Sequence, residues 1–194
     1  MATKTLNFDP SDLPIDMTVA FVFQLSDTSQ QSQKQCPVVW KVLKFSGRGD
    51  QGKATVQYNP RFAYGPTQHS DGDTVAPTGL TEVSGKAQGK DILLSCKNNS
   101  SNRADLAIGF AKGNGQQLEP TLVWKDVDPS TSVTTQFTPV LRAYAIGQYQ
   151  EHQILRSEVQ APVIWQQDLS SLDDTSEWKI GMNPATGEIT IRPA

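Results

Sequence analysis

Met17-Thr18-Val19-Ala20-Phe21-Val22-Phe23-Gln24-Leu25 is the stretch that decides the fold class. Its large apolar residues Val19, Phe21, Phe23 and Leu25 fall on every second position. Side chains along a strand alternate between two faces, so this spacing gathers them on one face of a β-strand. Leu106, Ile108 and Phe110 repeat the pattern. Working outward, strands are expected near residues 38–45, 54–58, 91–96, 121–124, 133–137, 140–146, 152–159, 178–182 and 188–192. Gly, Pro, Asn, Asp and Ser separate these short segments. The sequence therefore predicts an all-β protein, an antiparallel β-sandwich forming a single domain over residues 1–194.

Two local features carry more detail. Asn183-Pro184-Ala185-Thr186-Gly187 reads as a hairpin loop, with glycine where a left-handed residue is required. The segment 38–45 is apolar on both faces, which predicts a central strand. At most one short helix is expected, around residues 168–174, where acidic residues and serines can cap a turn holding Leu169 and Leu172. The segments ending in Trp40, Trp124 and Trp165 resemble one another, but no blade signature of a repeat architecture accompanies them.

The 194 residues are 37% hydrophobic and 19% charged, a composition suited to a folded globular chain. A net charge of −3, dispersed rather than gathered in a basic stripe, argues against a nucleic-acid partner. The nine-residue apolar run cannot span a bilayer as a helix, so no membrane partner is expected. Asp9, Asp12 and Asp16 precede that run where a secretory signal would be positive. Cys36 and Cys96, each within an expected strand, read as buried free thiols of a cytoplasmic protein. Acceptor tripeptides for glycosylation begin at Asn98 and Asn99 and read as a polar turn. The expected partners are a small-molecule ligand and, at most, a second copy in a homodimer.

Several motifs invite a catalytic or metal-binding reading. Gly47 to Lys53 has the glycine and lysine spacing of a phosphate-binding loop, but Ala54 replaces the magnesium-ligating hydroxyl and a strand follows instead of a helix. Arg48-Gly49-Asp50 lies in the same charged turn. His69-Ser70-Asp71-Gly72-Asp73 could begin a cation site, yet neither a calcium nor a zinc ligand set is completed nearby, and a β-turn is the simpler reading. The only histidines are His69 and His152, with no serine nucleophile elbow. No catalytic and no metal residues are assigned. Tyr64, Trp124, Tyr144, Tyr149 and Trp165 stand near strand ends or turns and form the candidate ligand-binding set. At such places a ring can line a mouth between sheets while its polar atom finds a partner.

Four stretches carry a resemblance: residues 37–45, Val56-Gln57-Tyr58 with Phe62-Ala63-Tyr64-Gly65, residues 137–144, and the run from Gln150 to Trp165. Together they resemble small cytosolic β-rich proteins of basidiomycete fungi. The likeness covers most of the chain but includes no catalytic motif. It implies a non-enzymatic fruiting-body protein holding a small planar pigment of the indolone type. No backbone-derived chromophore is expected, because Ala63-Tyr64-Gly65 lacks a hydroxyl residue at its first position. The pigment would be bound from outside, with no cofactor required for folding. The alternatives are a lectin-like or defence protein and an enzyme with an unrecognised site.

Overall fold

A computed structural model describes residues 2–25, 34–47, 52–70 and 73–194, without the side chains of His69 and Ser70. Strand makes up 63% of it and helix 2%, so the all-β expectation holds. In chain order the strands are β1 Lys4–Asp12, β2 Met17–Leu25, β3 Gln35–Pro37, β4 Val39–Phe45, β5 Ala54–Tyr58, β6 Phe62–Ser70, β7 Thr74–Pro77 and β8 Thr81–Glu82. There follow β9 Lys86–Gln88, β10 Asp91–Lys97, β11 Ala104–Lys112, β12 Gln117–Val127, β13 Ser132–Ala145, β14 Val163–Asp168, β15 Thr175–Met182 and β16 Ile189–Pro193. The expected short helix is a single 3-10 turn, Leu169–Ser171, capped by Asp168, whose carboxylate accepts from the Ser170 N–H.

The strands form three sheets. The first has the order β16-β15-β1-β5, the second β4-β2-β13-β10-β9 with β14 also on β13, and the third β3-β12-β11-β6-β7 with β8 on β6. One pair departs from the antiparallel expectation. β1 and β15 run parallel, Phe8 beside Trp178, so the two ends of the chain are hydrogen-bonded to each other. The predicted terminal hairpin is present as β15 and β16, with Gly187 at φ +71.

Some strand limits differ for physical reasons. Segments 133–137 and 140–146 are one strand, β13, because its pairing with β2 shifts register between Phe137 and Leu141. That irregularity accommodates Pro139, which has no N–H for the ladder. The segment 38–45 is an edge strand in its sheet, not a central one. It is apolar on both faces because residues 146–161 cover its outer side: Val39 and Val42 pack with Leu155, Val159 and Ala161. The expected strand at 152–159 contributes only bridges at Gln153 and Ile154.

Those bridges close a ring. Val38 N–H donates to the Thr121 carbonyl at 2.9 Å, tying the end of β3 to β12. On the other side Val39 N–H donates to Gln153 O at 2.9 Å, and Ile154 N–H donates to Asp73 O at 3.0 Å. The third sheet thus runs from β3 through β12, β11, β6 and β7 to residues 152–154 and back to Val38. Every member of the ring contributes to one packed cluster, including Val38, Ala63, Val75, Ala107, Val123 and Ile154. Its narrowness requires small residues. A Cβ on Gly109 would stand 1.9 Å from the Glu119 carbonyl oxygen, a distance no side chain tolerates.

The outward faces of these ring strands look onto the central core. Leu106, Ile108 and Phe110 of β11 meet Val19, Phe21 and Phe23 of β2, so both sequence patterns that predicted strands do point inward. Rings dominate. Phe110 lies 5.2–6.0 Å by centroid from five neighbouring rings, among them Tyr58 at 5.2 Å and Phe23 at 5.5 Å. The first sheet adds Phe8 and Trp178 against Phe21 and Trp165.

Candidate functional site

The central space between the sheets is filled, although a cleft of about 480 Å³ opens at their edge between Phe62 and Glu82 on one side and Ala87 and Ile92 on the other. The hollow bounded by Phe23, Ile108, Leu122 and Phe137 has a volume of about 10 Å³, room for at most one water. The sequence suggested a planar ligand between the sheets or at one end of them, and this central hollow is too small for one.

A larger cleft, with polar as well as apolar walls, lies on the outer face of the second sheet. It measures about 650 Å³ and is bounded by Val22, Tyr144, Leu155, Val159, Ala161 and Val163. Its origin is local. Residues of β2 and β13 that alternate away from the core, Ala20, Val22 and Tyr144, are apolar, so this face also needs cover. The segment 146–161 supplies it, with Ile146, Tyr149, Leu155, Val159 and Ala161 packing onto them. The cover is incomplete, and Val163 remains 45% exposed at the edge.

Polar groups stand around this apolar wall. Arg142 donates through Nε to Gln166 Oε1 at 2.8 Å, and Arg156 donates to the Asp73 carboxylate. Both guanidiniums keep other N–H groups for a ligand. Gln35 accepts from the Thr135 hydroxyl at 3.0 Å. Cys36, half-buried and free, lines the same cleft. The pair of buried thiols expected from sequence is therefore an unequal pair: only Cys96 is buried, and that burial pushes its thiol up to about 12.

The five candidate rings do not converge. Tyr144 lines the cleft and Tyr149 packs into the same outer cluster. Tyr64 and Trp165 are buried in the central core, and half-buried Trp124 packs against it. The Trp165 indole Nε1 is buried without a hydrogen-bond partner among the described residues, whereas the sequence reading gave such rings a partner. It lies beside Trp178, edge to face, with centroids 5.0 Å apart.

The other motifs have structural roles where they are described. Residues 48–51, including Arg48-Gly49-Asp50, and Asp71 with Gly72 lie outside the described residues. Lys53 of the glycine-rich stretch donates to Glu177 Oε2 at 2.6 Å. Asp73 takes the Arg156 guanidinium. Asn98 is 1% exposed, and its amide donates to the carbonyls of Asn102 and Val127, fixing a turn. No group of three or more His, Cys, Asp or Glu among the described residues is placed to hold a metal ion.

Sequence reasoning missed Val22, Arg142, Leu155 and Val163. The available signal was the outward half of each alternation: Ala20 and Val22 are apolar where a solvent-facing strand face would be polar. No family model, curated protein or solved structure matches the chain. Among the described residues no helix is long and apolar enough to cross a membrane.

Proposed function

We propose that the protein is a non-enzymatic binder of a small, planar, mostly apolar ligand held in the outer cleft beside Tyr144. The observation that carries this reading is the cleft itself. Its volume of about 650 Å³ falls in the range of small-molecule sites, which combine apolar walls with a few orienting polar groups. The Tyr144 ring offers a flat contact. Arg142 and Arg156 offer donors to a carbonyl or anionic oxygen at the ligand's edge.

The stretches resembling basidiomycete proteins, and similar within that group to the pink chromoprotein of an oyster mushroom, support an indolone-type pigment as the ligand. The pigment would be held non-covalently. The free thiols Cys36 and Cys96 fit the reducing cytoplasm proposed as its compartment. The test is native mass spectrometry with a visible absorption spectrum of purified protein, followed by titration with isatin, a planar indole-dione. A bound mass below about 1 kDa, or saturable isatin binding weakened by Arg142→Met, supports the assignment, since a lost charged hydrogen bond is worth roughly 1.5–3 kcal/mol. Absence of both removes it.

A further inference from the structure

A second cleft, of about 560 Å³, shares no lining residue with the first. It lies at the end of the closed ring of strands, with Val75 and Leu118 of the ring's packed cluster in its floor beside Pro77 and Leu80. The mouth of a closed β-structure is a common place for a ligand. Ring closure also brings distant charged residues to this mouth: Lys41 of β4, Lys112 ending β11, Glu119 of β12, and Glu151 and His152 of the covering segment.

Their hydrogen bonding leaves defined capacity. Glu119 Oε1 accepts from Lys41 Nζ at 2.7 Å and from Lys112 Nζ at 2.8 Å. Glu151 Oε1 accepts from the Val42 N–H at 3.2 Å. Among the described residues the second oxygen of each carboxylate accepts nothing further. His152 is held in a left-handed conformation, φ +64, by its N–H donating to Val39 O at 2.7 Å and its carbonyl accepting from Val75 N–H at 2.8 Å. Its imidazole Nε2 is buried with no partner among the described residues. That nitrogen is sealed from solvent, so the groups that can meet a ligand in the mouth are the carboxylates and ammoniums around it.

The chemistry of the set selects the ligand class. The two lysines balance the two glutamates, so the mouth has no net charge to offer a phosphate or a polyamine. Both ammoniums already share one carboxylate oxygen, so a phosphate would have to displace a half-buried Glu119 and face Glu151. What remains is a dense mixture of donors and acceptors, with the amides of Gln116 and Gln117, above a small apolar floor. We propose that this mouth binds a neutral polyhydroxylated ligand, a saccharide unit. Its hydroxyls pair with Lys112, Glu119 and Glu151, and its C–H face rests on Leu80 and Leu118. This site is independent of the apolar cleft and stands or falls without it.

The experiment is a two-dimensional NMR titration of the nitrogen-15-labelled full chain with a panel of neutral mono- and disaccharides. Inorganic phosphate and spermidine are titrated separately. The expected result is saturable shifts of residues 116–119 and 151–152 with at least one sugar, at a dissociation constant on the order of 1 mM. Lys112→Met and Gln117→Ala change exposed side chains, and each is first shown to be folded by its dispersed spectrum. Each is expected to weaken that sugar about tenfold, the equivalent of one lost hydrogen bond. The proposal is overturned by no saturable shift from any sugar at about 100 mM, a concentration far above the constant expected. Tighter binding of phosphate or spermidine than of any sugar, or sugar shifts mapping elsewhere, overturns it equally.

Discussion

The two faces of β2 receive different treatment. On the inner face Val19, Phe21 and Phe23 meet opposing sheets in a cluster packed with aromatic rings. On the outer face Ala20 and Val22 meet a covering segment, residues 146–161, that forms no ladder along most of its length and leaves a cleft of about 650 Å³. Sheet against sheet brings two regular surfaces together and fills the space between them. Sheet against irregular segment matches only where individual side chains reach, so space for a ligand survives there.

That contrast is sharpened first by truncating the core. Phe110 is 2% exposed and touches rings on every side, so Phe110→Ala is expected to lose about 3–5 kcal/mol of stability. Urea unfolding of the variant and the parent measures this. A loss under about 1 kcal/mol, typical of surface changes, would mean the inner face is not the tightly packed one.

The thiols read the same contrast without mutation, because one lies on each side. A thiol reagent reacts with the thiolate, and burial holds the Cys96 thiol up to about 12, while Cys36 is half-buried in the cleft wall. Native protein should therefore take up one equivalent of reagent, and unfolded protein two. Saturating isatin should slow the native reaction. Two equivalents in the native state, or none, would contradict the placement of these residues.

The smallest effect concerns pH. Burial lowers the His152 pKa below its ordinary 6.5. The folded state thus favours the neutral ring, and stability falls as pH drops below 6.5 towards the folded value. For Glu119 burial alone would raise the pKa, but hydrogen bonds from Lys112 and Lys41 outweigh it and leave it below 4.5. Its contribution is present above 4.5 and is lost as pH falls through the lower folded value. Melting temperatures between pH 7 and pH 3 should decline in two stages, roughly by a few degrees each. His152→Asn, which tolerates the left-handed backbone, should remove the upper stage only. An unchanged upper stage would assign it to another group.

The sequence was informative about what each strand does and silent about what each strand meets. Alternation in β2 and β11 announced the inner face, and Gly187 announced the last turn. β1 was not legible. Its inward residues Leu6, Phe8 and Pro10 make a short pattern that ends in a strand-breaking proline, and its partner β15 is about 170 positions away and parallel. Nor was the ring, because its closure depends on Gln153 and Ile154 bridging strands remote in sequence. Among the candidate rings, Tyr144 lines the cleft and Tyr149 packs in the cluster beside it. Tyr64 and Trp165 could not be told from them, since a ring at a strand end is equally suited to core or mouth until the opposing surface is known.

One measurement tests the central claim, that ligand space lies outside the sheet and not between the sheets: the affinity of isatin for Tyr144→Ala and Trp124→Ala, each first shown to be folded by circular dichroism. Tyr144 lines the outer cleft, while Trp124 packs towards the filled core. Tyr144→Ala is expected to weaken isatin by roughly 1–3 kcal/mol, from lost contact area, and Trp124→Ala to bind it as the parent does. The reverse order, with Trp124→Ala losing the ligand and Tyr144→Ala retaining it, would rule out the outer cleft and return the site to the space between the sheets.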